Sequence, residues 1–310
     1  MIKKFLIILL LLSIFALMTL VLTSCVARSL ETNTYELNEE FSSILTKTST
    51  ADIILLPSDD EKCKVVCYEE ANVKHSVLVS EGVLTINEVD TRKWYNHLNI
   101  NVETPKITIY LPQSEYSSLV IENDTGDIDV PNDFTFESID ISLSTGDVNC
   151  CASTTGTARI GASTGDINVT DISVGMLEIL TSTGDVTLSK VRCDGNVKIN
   201  VTTGKTYLSD ITCQNVVSSG DTGDISLNNM IAYGTISIER STGDVELCKL
   251  DAQEIDITTS TGNVKGSLLT EKVFITKSST GKIDVPNSIT GGRCEITTDT
   301  GDIIISIQNQ

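Results

Sequence analysis

The sequence predicts an all-β protein, a single-chain parallel β-solenoid (β-helix) of about 19–20 residues per coil, with a less regular β cap at its N-terminal end. The main observation is a Thr-Gly pair that recurs every 19 or 20 residues between residue 123 and the C-terminus. A period this regular is typical of solenoids, because one coil cannot bury its apolar face without stacking on its neighbours. The ten corner glycines of this repeat are Gly126, Gly146, Gly165, Gly184, Gly204, Gly223, Gly243, Gly262, Gly281 and Gly301.

The second observation is that apolar residues flank each corner glycine in pairs spaced two apart, as in short strands with one face inward. With the glycine as position 0, the pairs fall at −7 and −5, at +2 and +4, and at +7 and +9. For the Gly184 repeat these are Leu177 and Ile179, Val186 and Leu188, and Val191 and Cys193. The spacings between pairs are odd and break the alternation, so we expect three short strands and three corners in each coil.

Position +1 of the repeat is Asp in most coils, and stacking should place these side chains above one another at about 4.8 Å. An unbroken column of carboxylates would repel itself. Lys205, Asn263 and Lys282 interrupt the column. We therefore interpret the column as a structural ladder in which these three residues reduce the repulsion between carboxylates.

Calcium binding is the alternative interpretation of the acidic corners, because clustered carboxylate oxygens suit Ca²⁺. The candidate ligands lie at positions −2 and +1 and are Asp124, Asp127, Asp221, Asp224, Asp244, Asp299 and Asp302. The repeat lacks the Gly-Gly-x-Gly-x-Asp pattern of calcium-binding β-rolls. The favoured prediction is therefore no metal and no cofactor, with the acidic side chains capping turns.

Residues 1–24 read as an export signal, since Lys3 and Lys4 precede an uncharged apolar run that ends at Leu22. Residues 22–25, Leu-Thr-Ser-Cys, look like a bacterial lipobox, in which Cys25 is lipidated and becomes the new N-terminus. A retained transmembrane helix is the alternative. Both interpretations place the rest of the chain outside the cytoplasm, anchored to the cell membrane, with residues 25–34 as the lipidated Cys and tether.

Without the signal, the chain carries 20 basic and 42 acidic residues, a net charge of −22, because residues 1–24 contain two Lys and no acid. A surface this acidic repels nucleic acid, so no nucleic-acid partner is expected. Eight cysteines remain besides Cys25, and their spacing resembles neither a disulfide framework nor a zinc site. We expect most of them to be free and Cys193 and Cys213 to be small buried apolar residues.

Residues 35–122 are also strand-like but irregular, and we interpret them as opening coils that cap the solenoid of residues 123–310. Their densest polar and aromatic stretch lies in an expected loop and offers a contact site for a partner. Its candidate contact residues are Arg92, Trp94, Tyr95 and His97. The alternative is a loop that folds its aromatic side chains back over the cap.

Residues 35–310 resemble the bacterial "putative adhesin" domains of unknown function. The resemblance rests on a Thr-Ala-Asp-Ile corner at residues 50–53, on Leu84-Thr85-Ile86 after Gly82, on a strand ending in Leu111-Pro112, and on the Thr-Gly-Asp repeats. It implies a β-solenoid located in the cell envelope, and it implies no catalytic residues.

An enzyme is disfavoured because most acidic residues repeat from coil to coil, and because the two histidines, His75 and His97, are expected at the surface or partly packed. The sequence thus predicts a binding or adhesion module of the envelope, extending to sensing of envelope state, with an unknown envelope or extracellular partner. A structural spacer, with or without stabilising Ca²⁺, is the alternative, and a polysaccharide-active enzyme is a third class.

Overall fold

The structure is a computed structural model, and it describes residues 30–92 and 104–308. The regular elements of these residues are 26 strands joined in one continuous sheet. No helix in these ranges is long and apolar enough to cross a membrane. The predicted export signal and Cys25 lie outside the described residues.

The N-terminal part contains eight strands. They are β1 (Leu30–Leu37), β2 (Ser43–Thr50), β3 (Asp52–Pro57), β4 (Cys63–Glu70), β5 (Val73–Ser80), β6 (Val83–Asp90), β7 (Lys106–Leu111) and β8 (Glu115–Thr125). Residues 30–34, which the sequence placed in the tether, thus belong to a strand, and β1 pairs antiparallel with β4 along its whole length.

The repeat region contains the remaining strands. They are β9 (Ile128–Val130), β10 (Thr135–Thr145), β11 (Val148–Cys150), β12 (Ser153–Thr154), β13 (Thr157–Thr164), β14 (Ile167–Val174), β15 (Met176–Thr183), β16 (Val186–Cys193), β17 (Asn196–Thr203), β18 (Thr206–Cys213), β19 (Asn215–Thr222), β20 (Ile225–Thr242), β21 (Val245–Thr261), β22 (Val264–Leu268), β23 (Lys272–Thr280), β24 (Ile283–Asp284), β25 (Gly292–Thr300) and β26 (Ile303–Ile307).

Successive coils stack in parallel, which confirms the predicted β-solenoid. In the Gly184 coil, β15 lies between β13 and β17, and β16 lies between β14 and β18. Leu177 is in register with Ala158 of the preceding coil and with Val197 of the following coil. All three are at most 1% exposed, so the predicted apolar pairs form a continuous core along the solenoid axis.

The prediction of three strands per coil needs one correction. The second and third predicted strands form a single strand such as β16, which bends at a residue six positions after the corner glycine. This residue adopts a left-handed conformation, with φ of 53° at Lys190 and 55° at Asp210. The bend explains the odd spacing between positions +4 and +7, because the chain turns there without leaving its ladder of hydrogen bonds.

The additional Thr155-Gly156 of one repeat forms the third corner of its coil. Gly156, Gly175 and Gly195 stack at this corner, and the Gly195 N–H donates to the Gly175 carbonyl over 2.8 Å. A Cβ atom on Gly175 would lie 2.6 Å from the Gly156 carbonyl oxygen. Glycine is therefore required here by the close approach of neighbouring coils.

The order of coils at the C-terminal end differs from the order along the chain. Strand β25 pairs with β21 on one side and with β23 on the other, so the last coil lies between the coils of Gly262 and Gly281. Cys294 and Ile296 of the inserted coil are fully buried, whereas their counterparts in the outermost coil are the less buried Phe274 and Thr276. The more apolar coil thus takes the interior place, and the more polar coil closes the stack, as terminal repeats of solenoids must.

The N-terminal end changes gradually from parallel to antiparallel pairing. Strands β2 and β3 form the first coil and stack on β8 and β9. On their outer side they carry β6 and β7 in parallel, and these strands in turn carry β5 and β4 in antiparallel order. This part covers the end of the core that a bare parallel coil would expose.

Candidate functional site

A surface cleft lies where the cap meets the first coils, and we call it the cap cleft. It has a volume of about 620 Å³ and opens on strands β2, β6, β8 and β10. Its lining residues are Lys47, Thr48, Ser49, Glu88, Asp90, Val120, Ile121, Glu122, Asn123, Asp124, Asp140, Ser142 and Ser144. The outward side chains of β2, β8 and β10 form one side of the cleft, and those of the cap strand β6 form the other.

The cap cleft is acidic. Five of its lining residues carry carboxylates, and its one cationic side chain, Lys47, pairs with Glu122 over 2.8 Å. Within the cleft, Asp124 is one of the predicted calcium candidates. The negative potential of such a cleft favours positively charged groups of a partner.

The predicted contact loop begins at the rim of the cap cleft. Asp90, at the end of β6, accepts hydrogen bonds from the Arg92 guanidinium over 2.7–3.0 Å and from the Arg92 backbone N–H over 2.8 Å. The other candidate contact residues, Trp94, Tyr95 and His97, lie outside the described residues. The structure therefore places the start of this loop, and no more of it, beside the cleft.

A buried polar network lies beneath the floor of the cleft. The Thr48 hydroxyl donates to a Glu88 carboxylate oxygen over 3.0 Å, and the Ser49 N–H donates to the same oxygen over 2.8 Å. The Thr48 oxygen also lies 3.1 Å from Nε2 of His75. His75 is 3% exposed, so the prediction that it is a surface or partly packed residue is wrong.

Glu69 is the centre of this network and is fully buried. Its Oε2 accepts the His75 backbone N–H and lies 2.7 Å from His75 Nδ1, while its Oε1 accepts a hydrogen bond from the Asn33 amide over 2.7 Å. Cys67 completes the group, because its sulfur, a Glu69 oxygen and a His75 ring nitrogen lie within 4.8 Å of one another. Burial, assisted by the Glu69 carboxylate, raises the pKa of the Cys67 thiol to about 12.

The alternation of the cap strands contained a signal for this cluster that our sequence reasoning missed. Cys63, Val65, Cys67 and Glu69 occupy every second position of β4, and all four are buried. The same parity places His75 on the inward face of β5. The alternation of apolar residues in β4 therefore indicated that Glu69 faces inward. The contact between Glu69 and His75 could not be predicted, because it depends on how two strands pair.

The predicted calcium candidates lie on the outer corners of the solenoid. Those at position +1 use a carboxylate oxygen to accept the backbone N–H of the next coil, as in the bond from the Asp147 N–H to Asp127 over 2.9 Å. Over residues 30–92 and 104–308, only Cys67, Glu69 and His75 form a group of three or more potential metal ligands within 4.8 Å of one another. The geometry of the +1 column is thus that of the structural ladder predicted from the sequence.

The eight cysteines within the described residues are all free thiols. Cys193 and Cys213 are 3% and 1% exposed and face the core, as predicted. Burial raises the pKa of the Cys213 thiol to about 12, which keeps it protonated. These two residues therefore act as small core side chains.

Together, the capped parallel coils define the class of this protein as a single-chain β-solenoid. The chain belongs to the Toastrack family, DUF4097, whose profile matches residues 41–201 and 190–310. The resemblance to adhesin-type domains of unknown function that the sequence predicted is confirmed at this level. No curated protein matches the chain.

Several solved structures are similar to this chain. A putative adhesin from Bacteroides fragilis NCTC 9343 is 16% identical, with a TM-score of 0.43, over 89% of this chain and 97% of that chain. A putative lipid binding protein from Parabacteroides distasonis ATCC 8503 is 15% identical, with a TM-score of 0.46, over the same shares. A putative cell adhesion protein from Clostridium sporogenes ATCC 15579 is 12% identical, with a TM-score of 0.25, over 90% of this chain and 100% of that chain.

Proposed function

We propose that this protein is a membrane-tethered binding or adhesion module of the bacterial cell envelope, which contacts its partner through the cap cleft and the loop that begins at Arg92. The observation that carries the proposal is the bond between Asp90 and Arg92, because it joins the rim of an acidic cleft to the start of the segment that contains the chain's one Trp. Trp, Tyr and Arg, which this segment contains, are the residue types enriched at the centres of interfaces.

The solenoid is the support of this site. Its coils form a continuous core from the first coil to the last, and the cap packs on one end of this stack of coils. Lipidation of Cys25 anchors the same end of the chain to the membrane in our proposal. The cap cleft then faces partners close to the membrane surface, and cationic groups of a partner are favoured by the five carboxylates.

Binding is tested with the full chain, immobilised and exposed to envelope fractions of the cells that make it. We expect the unaltered chain to capture an envelope component and the double variant Trp94→Ala, Tyr95→Ala to capture at least several-fold less. The matched control is Tyr233→Ala, which removes a side chain that is 67% exposed on the solenoid. Equal capture by all three chains, or capture by none, would favour the spacer interpretation.

Anchoring is tested with Cys25→Ala, because lipidation requires the Cys25 thiol. We expect this variant to lose labelling by a fatty-acid analogue and to accumulate as unprocessed precursor. Cys248→Ala, which removes an exposed cysteine of the solenoid, should be labelled and processed normally. Persistent labelling of the Cys25 variant would show that the chain is anchored differently.

A further inference from the structure

The buried cluster of Cys67, Glu69 and His75 combines a thiol, a carboxylate and an imidazole, three of the ligand types that zinc prefers in proteins. Their ligand atoms lie within 4.8 Å of one another, and the three residues are at most 3% exposed. They come from strands β4 and β5, which are joined by a short turn after Glu70. The backbone of this hairpin therefore brings the three side chains together.

The hydrogen bonds around His75 define which ring nitrogen faces the cluster. A carboxylate only accepts, so the Thr48 hydroxyl uses its single proton in the bond to Glu88. The Thr48 oxygen can then only accept from His75, which means that Nε2 carries a proton. In a neutral imidazole, Nδ1 would consequently present a lone pair to the Glu69 oxygen 2.7 Å away. This contact is favourable only when a positive charge, a proton or a metal ion, lies between the two atoms.

A divalent ion satisfies this requirement without leaving net charge in the interior. A Zn²⁺ ion held by the Cys67 thiolate, the Glu69 carboxylate and the neutral His75 imidazole forms a unit whose charges sum to zero. Because buried net charge is costly, such a unit is compatible with the interior of the cap.

We propose that Cys67, Glu69 and His75 form a structural Zn²⁺ site that fastens strands β4 and β5 beneath the cap cleft. Cys67 supplies its sulfur, His75 its Nδ1, and Glu69 its Oε2, while Glu69 Oε1 keeps its hydrogen bond from Asn33. These are three protein ligand atoms, and the fourth position of a tetrahedral zinc is left to a water molecule. Zinc–nitrogen and zinc–oxygen bonds of about 2.0–2.1 Å at a tetrahedral angle require roughly 3.3 Å between the two ligand atoms. Glu69 and His75 must therefore separate by about half an ångström from their present hydrogen-bond distance.

The surroundings of the cluster are those of a supported metal site. Metal-binding histidines usually donate their other ring N–H to a hydrogen-bond acceptor, which fixes the ring orientation. Here Thr48 is that acceptor, and Thr48 is itself held by Glu88. Asn33 on β1 donates to Glu69, so strands β1, β2, β4, β5 and β6 all contribute to the site or to its support. Cys67, Glu69 and His75 are buried and do not line the cap cleft, so zinc binding is tested separately from the proposed partner binding.

The test is the metal content of the full chain, purified in detergent from cells grown with added zinc and without chelators. We expect about one zinc per chain in the unaltered protein and less than a tenth of that in Cys67→Ala. The matched control, Cys63→Ala, removes another buried cysteine four residues earlier on the same face of β4 and should retain the metal. A chain without zinc, or equal zinc in all three proteins, would overturn the proposal.

A spectroscopic measurement on the unaltered chain covers the case in which Cys67→Ala does not fold. The chain is unfolded with a denaturant and a chelator, freed of both, and refolded with one equivalent of Co²⁺ in place of zinc. Thiolate coordination should produce a sulfur-to-cobalt charge-transfer band and intense tetrahedral absorption, also in Cys63→Ala. Refolded chain without these bands would contradict the site, and His75→Gln should abolish the tetrahedral absorption if the imidazole is a ligand.

Discussion

At the scale of single residues, the corner glycines satisfy two separate requirements. Gly204 has φ of 147° and Gly243 has φ of 149°, a region that residues with a side chain rarely adopt. A Cβ atom on Gly204 would also lie 1.9 Å from the carbonyl oxygen of Gly184 in the preceding coil. The repeat therefore needs glycine both for the backbone angle and for the close stacking of coils.

Replacement of Gly204 by Val is expected to lower the free energy of unfolding by roughly 3 kcal/mol or more, because backbone strain of about 1–3 kcal/mol adds to the clash with the neighbouring coil. The measurement is the urea midpoint of unfolding. The matched control is Thr202→Val, which introduces the same side chain at an exposed position of the same coil. Equal midpoints for the two variants would contradict the described corner.

Arg240 is a residue that the repeat pattern did not predict. It is 3% exposed, and its guanidinium donates to the hydroxyls of Thr206 and Ser218 and to a backbone carbonyl, without a carboxylate partner among the described residues. Space for it comes from Gly220 of the preceding coil, where a Cβ atom would lie 3.2 Å from Nη1. Burial lowers the pKa of Arg240 to about 10.

Replacement of Arg240 by Met is expected to leave the free energy of unfolding at pH 8 unchanged or to raise it by up to about 2 kcal/mol, since removing an uncompensated buried charge outweighs or balances the loss of a partner for two hydroxyls. Because the pKa of Arg240 is lower in the folded protein, the unfolded chain binds more protons above pH 10. The wild type therefore gains stability as the pH rises above 10, and the difference in unfolding free energy between Arg240→Met and the wild type should shrink towards pH 10.5. Arg192→Met, at an exposed position, serves as the control. A loss of more than about 2 kcal/mol at pH 8 would contradict this view.

At the scale of elements, the +1 column is a ladder of side chains that supports the backbone. The carboxylate or amide oxygen of one coil accepts the +1 N–H of the next coil over 2.7–3.1 Å. The inserted last coil continues the column, since the Asp302 N–H donates to Asn263 Oδ1 and the Lys282 N–H donates to Asp302 Oδ1. Lys282 thus stands at the end of the column, where no further N–H requires an acceptor among the described residues.

Removal of one member of this ladder should cost about 1 kcal/mol, the usual net worth of a hydrogen bond. Asp185→Ala deprives the Lys205 N–H of its acceptor at 2.7 Å and should lower the melting temperature, whereas Asp185→Asn keeps an acceptor oxygen and should lower it less.

Asp194→Ala is the control for charge, because it removes the same charge from an exposed side chain whose ion pair spans 3.9 Å. A melting temperature of Asp185→Ala equal to or above that of Asp194→Ala would show that the ladder contributes nothing.

The elements that followed from the sequence are those that depend on local pattern. The inward pairs such as Leu177 and Ile179, and the glycine corners, were predictable because alternation and backbone angle are local properties. The left-handed bend six positions after the glycine was missed, because Asp171, Asp210 and Asn229 favour this conformation but Lys190 and Lys249, at the same position of other coils, do not. The insertion of the last coil was also missed, since it depends on comparing the burial of two whole coils.

The candidate site was predictable only in part for the same reason. The contact loop stays a prediction from composition, and the structure adds that Arg92 bonds to Asp90, which lines the cleft. The cleft itself and the cluster of Cys67, Glu69 and His75 depend on strands β2, β4, β5 and β6 folding over one another. The parallel pairing of β2 with β6 and the antiparallel pairings of β4 and β5 lie outside the Thr-Gly repeat, so the period of the sequence does not predict them.

At the scale of the whole molecule, the two ends of the solenoid are different. The N-terminal end is covered by antiparallel strands and carries the acidic cleft, while the C-terminal end is a parallel coil with a polar interior position at Thr276. Ile275 and Ile283 of this outermost coil, the coil of Gly281, are 50% and 42% exposed. The net charge of −20 of the full sequence acts against self-association. We therefore expect partner binding at the N-terminal end, which carries the cap cleft.

Photo-crosslinking in intact cells tests the central claim, that the cap end binds a partner, most directly. A photoreactive residue replaces Ser142 or Ser144 in the cap cleft of the full chain, or Glu254 at an exposed position far along the solenoid as the control. The account predicts a discrete adduct from the two cleft positions, its loss when Trp94 and Tyr95 are changed to Ala, and none from Glu254. The absence of adducts from both cleft positions, or the same adducts from Glu254, would contradict it.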